Sequence, residues 1–576
     1  MTAAWLLSPI LLPLVAAGLA PSLRRGREWL AGVTPLGALS LGLLGSEGVV
    51  ARFEWLVLGI DLRVDTVGRL LLVMAALVWC AAGISARSLV RDHTDLAVLF
   101  QLTMAGNLGL VVADDVVTFY VLFAVMTFAA YGLVVHERTP FAMRAGRVYI
   151  ALAVVGEVAL LSGLVLAVGA AQGASGFVEV RAALDGASYG GVTVGLLVVG
   201  FAVKAGIMPV HLWLPLAHPA APVPASAVLS GAMIKAGLLG WLRVLPIGEI
   251  ALPGWSQTLI VVGITTAFLA VAVGLPQRDA KTVLAYSSVS QMGLMTVTVG
   301  VALAVPGSGA LAATAAALQA LHHGLAKGAL FLGVGVLRNV AARHRGPVLV
   351  GMGFAAVSLA GAPLTSGWVA KSASKTAIDT LPGATAGTIT LLVSLSSVAT
   401  TILMVRLFPL LPRAEPHTAT ARWLLWPWAG LLVGVAAGAW TVPVLLGQGG
   451  LLPSLGPGGV WDGTWPVLLG LAAVGVWLAV DRRLGAWRPQ LPPGDVVVAV
   501  EAVGSPLRAV GRWVFGVFQA LDDQRRYLQW AAHLLVRPGG IVDRAEEWMT
   551  RWRTAGVLFV LVSSALLVAF VGAAGR

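Results

Sequence analysis

Long apolar segments recur along almost the whole chain. A helix that crosses a bilayer needs about 20 mostly apolar residues, and we find about sixteen such segments. They begin near residues 4, 29, 68, 96, 116, 147, 191, 224, 257, 282, 309, 349, 385, 423, 464 and 555. A mean hydropathy of +0.89 and a charged fraction of 11% exclude a soluble globular chain. The sequence therefore predicts an all-α polytopic membrane protein.

The basic residues predict how these helices are oriented. Cytoplasmic loops carry an excess of lysine and arginine, and here the basic clusters follow predicted helices 1, 3, 5, 9 and 11 and precede helix 14. They contain Arg24, Arg25, Arg27, Arg87, Arg91, Arg138, Arg144, Arg147, Arg278, Lys281, Arg338, Arg343, Arg345, Arg413 and Arg422. We therefore expect a multi-pass protein of the inner cell membrane with both termini outside. Residues 4–20 are expected to be a first span and not a removable signal, because no basic stretch precedes them.

The net charge of +12 does not indicate a nucleic-acid partner, because the basic residues are confined to short turns between apolar segments. A single cysteine, Cys80, excludes a CxxC metal site. The sequence also lacks the histidine and carboxylate motifs that bind metals and the glycine-rich motifs that bind nucleotides. We therefore expect no cofactor, no metal and no catalytic residue in this chain, so that any electron transfer takes place in other subunits.

The lysines are few and unusually placed. Only six of the 38 basic residues are lysine, and four of these, Lys204, Lys235, Lys327 and Lys371, lie within apolar segments or at their broken ends. A cation there costs several kcal/mol unless it faces a cavity or a partner. Arginine stays charged at any workable pH, whereas a desolvated lysine can gain and lose a proton near neutrality. The set therefore predicts a proton path, although each lysine could instead belong to a structural ion pair.

Other titratable residues lie close to these lysines in the sequence. Glu157 is the one carboxylate in the middle of a predicted span, so it is the expected acidic partner of a lysine, unless it is a neutral, hydrogen-bonded acid. His322 and His323 precede Lys327 by about one turn, and His323 shares a face with it. Three residues are secondary candidates, and for the two histidines bracing of a loop is an equally good explanation: His211, His218 and Lys375.

Proline and glycine interrupt two of the apolar segments. The stretch after Lys204 is proline-rich, and Lys371 follows the stretch SLAGAPLTSGWVA. Broken helices inside a bilayer are tolerated where the freed backbone lines a cavity or is buried. Two of them in corresponding places suggest inverted repeats around a midplane ion site. We therefore predict two five-helix repeats, helices 4–8 and 9–13, each with one broken helix.

These patterns divide the chain into six regions. The predicted regions are helices 1–3 (1–95), the first half (96–245), the second half (246–411), helices 14 and 15 (412–480), a lateral segment (481–553) and an anchor helix (554–576). The lateral segment mixes arginine with tryptophan and phenylalanine. This mixture indicates a helix lying in the membrane interface or, equally well, a linker held on anionic lipid.

Four ordered stretches resemble a known family. They are KAGIMPVHLWLPLAHPAAPVPASAVLSGAMIKAGLLGWLR, QRDAKTVLAYSSVSQMGLM, HHGLAKGALFLGVG and SLAGAPLTSGWVAKSASK, and the likeness extends from about residue 96 to 406. They resemble the antiporter-like, proton-translocating subunits of respiratory complex I, Mrp antiporters and group 4 membrane-bound hydrogenases. The resemblance implies that Lys204, Lys235, Lys327 and Lys371 form a hydrated chain at mid-membrane. It also implies that neighbouring redox subunits drive proton movement along this chain, and that the C-terminal arm grips a neighbouring subunit.

The chain departs from the family pattern at two positions. The family usually has a glutamate in a motif like FYVFWE, whereas FYVLFAVM places Ala124 there. Gln319 stands where many members have the first histidine of an HxxxH pair. Either Glu157, on the next helix, replaces the missing glutamate as the partner of Lys204, or coupling in the first half is altered; we favour the replacement.

Three functions are compatible with these features. The first is a proton-translocating subunit of a redox-driven complex of the complex I or hydrogenase type. The second is an Mrp-type cation/proton antiporter subunit, or the ion-coupled module of an inorganic-carbon uptake system, with sodium as a possible second ion. The third is a structural subunit with impaired conduction, which Ala124 favours and the four retained lysines oppose. In each case the partners are other membrane subunits and the lipid bilayer.

Overall fold

A computed structural model describes residues 3–23, 26–54, 59–412 and 422–484, all of them within one compact unit, Met1–Asp495. Except for its first four residues, the predicted lateral segment lies outside these described residues, and so does the predicted anchor helix.

The described residues form helices almost throughout, with one two-stranded hairpin. The first part contains α1 (Ala3–Leu19), α2 (Arg27–Val33), α3 (Leu36–Leu44), β1 (Val50–Phe53), β2 (Ile60–Arg63), α4 (Thr66–Ser85), α5 (Arg87–Asp92), α6 (Thr94–Val112) and α7 (Val116–Val134). The middle part contains α8 (Pro140–Ala170), α9 (Phe177–Ala183), α10 (Gly190–Ala205), α11 (Trp213–Ala220), α12 (Val223–Val228), α13 (Lys235–Val244), α14 (Pro253–Gly274) and α15 (Ala280–Ala302). The last part contains α16 (Gly309–Asn339), α17 (Ala342–Ala360), α18 (Ser366–Ile378), α19 (Ala384–Leu407), α20 (Arg422–Leu445) and α21 (Pro457–Leu484).

Many of these helices can cross a membrane. In the described part, 10 helices or continuous helical runs are long and apolar enough to do so, and two shorter apolar helices accompany them. The predicted polytopic, mostly helical class is therefore confirmed, while the count of sixteen and the inverted repeats stay predictions. The segment predicted to begin near residue 29 is not one helix, because it is divided into α2 and α3 at Pro35, which has no N–H to continue the helical ladder.

Side-chain caps fix where several helices begin. In each case a side-chain oxygen accepts a hydrogen bond from the backbone N–H three residues later, which satisfies one of the unpaired donors of the first turn. These caps are Asp65 on α4, Asp115 on α7, Thr139 on α8 and Asp279 on α15.

An ion pair ties the hairpin end of α4 to α13. The Arg243 guanidinium contacts both carboxylate oxygens of Asp65, which also caps α4. Burial by itself raises the pKa of Asp65, but the charge and hydrogen bonds of Arg243 outweigh it, so the pKa is lower than usual. The pair therefore joins two elements that are 178 residues apart in the sequence.

The centre of the bundle is made by helices that are buried over most of their length. The most apolar stretch of Val223–Val244 and that of Gly309–Asn339 are each 100% buried, and every residue of α15 is buried. Because these helices carry lysine, histidine and serine as well as apolar residues, polar side chains are brought into the interior. This arrangement positions the candidate site.

Two helices are broken inside the bundle. α10 ends at Ala205 and is followed by Gly206 with φ 71°, and α17 ends at Ala360 and is followed by Gly361 with φ 86°. Such positive φ values suit glycine, which has no Cβ. The chain then begins a second helical segment in each case, α11 and α18.

A buried lysine network

Five of the six lysines are buried. Lys327 is fully buried, Lys235 is 2% exposed, and Lys204, Lys281 and Lys371 are each 6% exposed. The sixth lysine is half-buried. Since a buried ammonium needs compensation for its lost hydration, the partners of each lysine determine what the site can do.

Lys204 lies in the last turn of α10, immediately before the break, and shares a cavity with Glu157 of α8. The cavity has a volume of about 20 Å³, roughly enough for one water molecule. Its lining includes Phe123 and Thr127 of α7 and Tyr149 of α8. Among the described residues, no ion pair of 4.0 Å or less joins Lys204 to Glu157, so the two charges interact across the cavity.

Ala124 lies on α7 between the two residues that line this cavity, Phe123 and Thr127, and it is buried. Glu157 comes from the neighbouring helix, α8, and faces the same space as Lys204. A carboxylate is thus present beside Lys204, although Ala124 occupies the position on α7 where the family usually has a glutamate. This geometry is what we expect if Glu157 replaces the missing glutamate as the partner of Lys204.

Lys235 is the first residue of α13 and follows a π-helical turn, Leu229–Met233. Its Nζ donates a hydrogen bond to the carbonyl oxygen of Ser230, inside that turn. The hydroxyl of Ser230 lies 2.7 Å from that of Ser288 on α15. π-helical turns interrupt the regular ladder and recur at functional sites. The turn thus places the ammonium group of Lys235 beside the central helix α15.

Lys327 and two histidines occupy the middle of α16. The Nζ of Lys327 donates to the carbonyl oxygen of Leu284 on α15, at 2.9 Å. The Nδ1 of His322 lies 2.8 Å from the hydroxyl of Ser366, at the start of α18. His323 is fully buried, and neither of its ring nitrogens has a partner among the described residues. Buried polar groups of this kind are usually satisfied by ordered water.

Lys371 lies one turn into α18, just after the second break. Its Nζ donates to the carbonyl oxygen of Ala360, the last residue of α17, at 2.9 Å and to the hydroxyl of Ser397 on α19 at 2.6 Å. The last carbonyls of a helix are unpaired and carry partial negative charge. Lys371 is therefore held by neutral acceptors rather than by a carboxylate.

Lys281 was placed in a surface loop by its basic neighbours, and that placement is wrong. α15 begins at Ala280, directly after its cap Asp279, so Lys281 lies in the first turn and under α11. Its Nζ donates to the carbonyl oxygens of His218, at 3.0 Å, and Ala221. The contrast between lysine and arginine would have identified it, because the other basic residues of these clusters are all arginine.

The two histidines after the first break lie in different settings. His218 was expected in a loop, but it lies in α11, which forms despite its prolines because Pro215 is in the first turn, where its missing N–H costs no hydrogen bond. The ring of His218 stacks on Phe331 of α16, with 4.4 Å between ring centroids, and neither ring nitrogen has a partner in the described part. His211 lies in the turn before α11, with its ring 6.1 Å from that of Tyr286.

Lys375 differs from the other five lysines. Its Nζ lies 2.7 Å from both carboxylate oxygens of Asp462, on α21. Gln319, where many family members have histidine, accepts a hydrogen bond from Ser374, the residue before Lys375. No group of three or more histidine, cysteine, aspartate or glutamate side chains that could hold a metal ion occurs in the described part of the chain.

Comparisons with known proteins agree with this architecture. The family model described as "NADH:quinone oxidoreductase/Mrp antiporter, TM" matches residues 113–403. Hydrogenase-4 component B of Escherichia coli K12 is 30% identical over 291 residues, which is 48% of this chain and 43% of that protein. The chain spans about half the length, or less, of the first curated relatives that it matches.

Two solved structures share the fold. A chain of the Mrp complex from Dietzia sp. DQ12-45-1b superposes with a TM-score of 0.71 at 24% identity, covering 92% of this chain and 63% of the other. A chain of an archaeal respiratory complex, the membrane-bound sulfane sulfur reductase, superposes with a TM-score of 0.65 at 20% identity, covering 82% of this chain and 99% of the other.

Proposed function

Since the chain belongs to the NADH:quinone oxidoreductase/Mrp antiporter transmembrane family, we propose that it moves protons across a membrane as one subunit of a larger, redox-driven complex. The family resemblance identified from the four sequence stretches is confirmed. Relatives in this family are subunits of multi-subunit membrane complexes, among them a hydrogenase and an Mrp complex. Partner membrane subunits therefore supply the energy in this proposal.

The proposed route follows the buried lysines. It begins at Lys281 and His218 at one end of α15, includes Lys327, Lys235 and the Lys204–Glu157 cavity, and continues through His323 and His322 to Lys371. His211 and Lys375 are secondary members. Each half of the molecule, residues 96–245 and 246–411, contributes one broken helix to the route.

The observation that carries the proposal is the nature of the lysine partners. Lys235, Lys281, Lys327 and Lys371 donate to backbone carbonyls or a hydroxyl, and no carboxylate is within 4.0 Å of them in the described part. A close carboxylate would hold the proton on the ammonium group. Neutral acceptors stabilise the charge less, so a buried lysine that has only these can release its proton at a lower cost.

The likeness to a chain of an Mrp complex favours a second function. In this alternative the chain is a cation/proton antiporter subunit or the ion-coupled module of an inorganic-carbon uptake system. The proteins that copurify with the chain in mild detergent discriminate between the two. Hydrogenase or quinone-reductase subunits would favour the first function. Transport activity with a partner that carries no redox centre would favour the second.

The proposed orientation has both termini outside the inner cell membrane, as the basic loops indicate. In this proposal residues 1–95 and 412–480 flank the two halves, and residues 481–553 and 554–576 are assigned as an arm and an anchor that contact a neighbouring subunit. The structural-subunit alternative, which Ala124 favours, is opposed by the carboxylate of Glu157 in the cavity of Lys204.

Replacement of the lysines tests the proposal. Lys204→Met and Lys371→Met remove the titratable groups at the two breaks, so each is expected to abolish proton transport in proteoliposomes of the copurified complex. Transport is measured with a pH-sensitive dye and normalised to assembled complex. Arg91→Met, an exposed position, is the control and should leave the rate unchanged. Unchanged rates in both lysine variants would overturn the proposal.

A further inference from the structure

The ion pair between Lys375 and Asp462 stands apart from the rest of the lysine network. Asp462 belongs to α21, outside residues 113–403 that the family model matches. In the part of the chain that the structure describes, this is the one lysine that pairs with a carboxylate. The Lys375 side chain is 13% exposed, whereas that of Asp462 is 44% exposed. The pair thus extends from the interior of the bundle to its surface.

The pair lies close to the second broken helix. Lys375 follows Lys371 by four residues on α18, so the two lysines share a face of that helix. Next to Asp462, Gly463 packs against the break itself, since a Cβ there would lie 2.8 Å from Cδ1 of Trp368 and 3.4 Å from Cγ of Pro363. α21 is therefore fixed against the segment that carries Lys371.

The three groups differ in their access to solvent. Lys371 is 6% exposed, and its ammonium group is held by the end of α17 and by Ser397. Asp462 is partly exposed and can exchange a proton with water, because a carboxylate accepts a proton and releases it again as an acid. Lys375 stands between them, with its ammonium group on the carboxylate.

We propose that Asp462 is the group that releases protons from Lys371 to the surface of the molecule. The proton leaves the ammonium nitrogen of Lys371, whose electron pair remains on the amine. Lys375 takes up this proton as it gives one of its own N–H protons to Asp462, so that an O–H bond forms on the carboxylate. That bond then breaks to water, which regenerates the carboxylate beside Lys375. The step uses no oxidant or reductant, and it rests on the proposed proton-transport function.

The release site is at the end of the bundle where α18 ends and α21 begins. Lys281 marks the opposite end of the bundle, because α15 begins there. α15 then runs to the loop that precedes α16, and α16 runs back antiparallel to it. Two charged groups on other elements, Glu137 and Arg338, interact electrostatically with Lys281, and both are exposed. In this proposal Lys281 and Lys375 therefore lie at the two ends of the route.

A purely structural ion pair is the alternative, and a matched set of variants separates the two roles. Asp462→Asn removes the titratable group, and Lys375→Gln/Asp462→Asn replaces the pair by two neutral side chains that can still hydrogen-bond to each other. Asp462→Glu keeps the acid. Glu249→Gln is the control, because Glu249 forms a similar pair with Arg181 at 2.7 Å and is 41% exposed, away from the lysines.

Each variant is measured in proteoliposomes of the copurified complex, as proton-transport rate per assembled complex together with its melting temperature. We expect roughly a tenfold or greater loss of rate in Asp462→Asn and in the double variant, since positioned acid–base groups contribute about 10²–10⁴-fold to proton transfers. Asp462→Glu should retain most of the rate, and Glu249→Gln all of it.

A double variant that transports at the wild-type rate would overturn the release role and leave a structural pair. If Lys371→Met abolishes transport while the double variant does not, only the release role fails. If Lys371→Met also transports normally, the proposed function fails with it.

Discussion

The two broken helices place their lysines on opposite sides of the break. Lys204 precedes the first break and faces a cavity that it shares with Glu157. Lys371 follows the second break and reaches back to the carbonyl of Ala360 and across to Ser397. The same sequence pattern, a lysine near glycine and proline, is thus found in two different electrostatic environments.

This difference implies different control of the proton in each half. In the first half an opposite charge across a small cavity stabilises the ammonium, and its influence is strong because the interior has a low dielectric constant. In the second half a helix end and a hydroxyl provide weaker, neutral stabilisation. We therefore expect the first half to depend on one carboxylate and the second on its hydrogen-bond acceptors.

The largest effect is expected from removing the carboxylate of the first half. Glu157→Gln leaves the buried Lys204 without an opposite charge, and a buried charge without compensation is costly, so transport should fall by about a hundredfold. Transport is measured in proteoliposomes of the copurified complex. Adding Ala124→Glu to Glu157→Gln should recover part of the loss, because Ala124 lies between two residues of the cavity lining. No recovery would contradict our view that Glu157 replaces a missing acid on α7.

A smaller effect is expected from the second half. Ser397→Ala removes one of the two acceptors of Lys371. A hydrogen bond to a charged group is worth about 1.5–3 kcal/mol, which corresponds to roughly a tenfold slower rate at the low end. The transport rate of the assembled complex measures it. Ser394→Ala, on the same helix and bonded only to its own backbone, is the matched control. Equal rates in the two serine variants would show that Ser397 does not hold Lys371 during transport.

The smallest effect on transport is expected from the ion pair between Asp65 and Arg243, which lies off the route. Asp65→Asn should leave the transport rate of assembled complex unchanged but lower its stability by about 1–3 kcal/mol, because Arg243 keeps only part of its partner. Because the pKa of Asp65 is lowered in the folded protein, its contribution is present above the ordinary value of about 4 and is lost as the pH falls through the lower, folded value.

Melting curves recorded in detergent between about pH 7 and about pH 3 check this expectation, because this range extends from well above the ordinary aspartate pKa of about 4 to about one unit below it. The stability difference between wild type and Asp65→Asn should be constant at the upper end and shrink below about pH 4. A stability difference that stays constant down to about pH 3 would contradict this role of the ion pair. A loss of transport per assembled complex would place Asp65 in the transport route.

Much of the candidate site could be predicted from the sequence because its signals are local. The burial of Lys204, Lys235, Lys327 and Lys371 follows from their places in apolar segments, and the two breaks follow from glycine and proline. The division of the segment near residue 29 was missed, although Pro35 marks it. The burial of Lys281 was missed because we assigned basic residues at the ends of apolar segments to cytoplasmic loops, which carry an excess of lysine and arginine.

The sequence by itself determined the class of structure and the kinds of group that are buried in it. Hydropathy, proline and the choice of lysine over arginine are properties of single residues, so they can be recognised without knowing how the helices pack. The tertiary structure decided which groups meet. Glu157 beside Lys204 and Lys375 on Asp462 join helices that are not consecutive in the chain, and Lys371 reaches back across the break to the end of α17. Such contacts depend on how whole helices pack, and nothing in the spacing of residues along one segment specifies the neighbour across the interface.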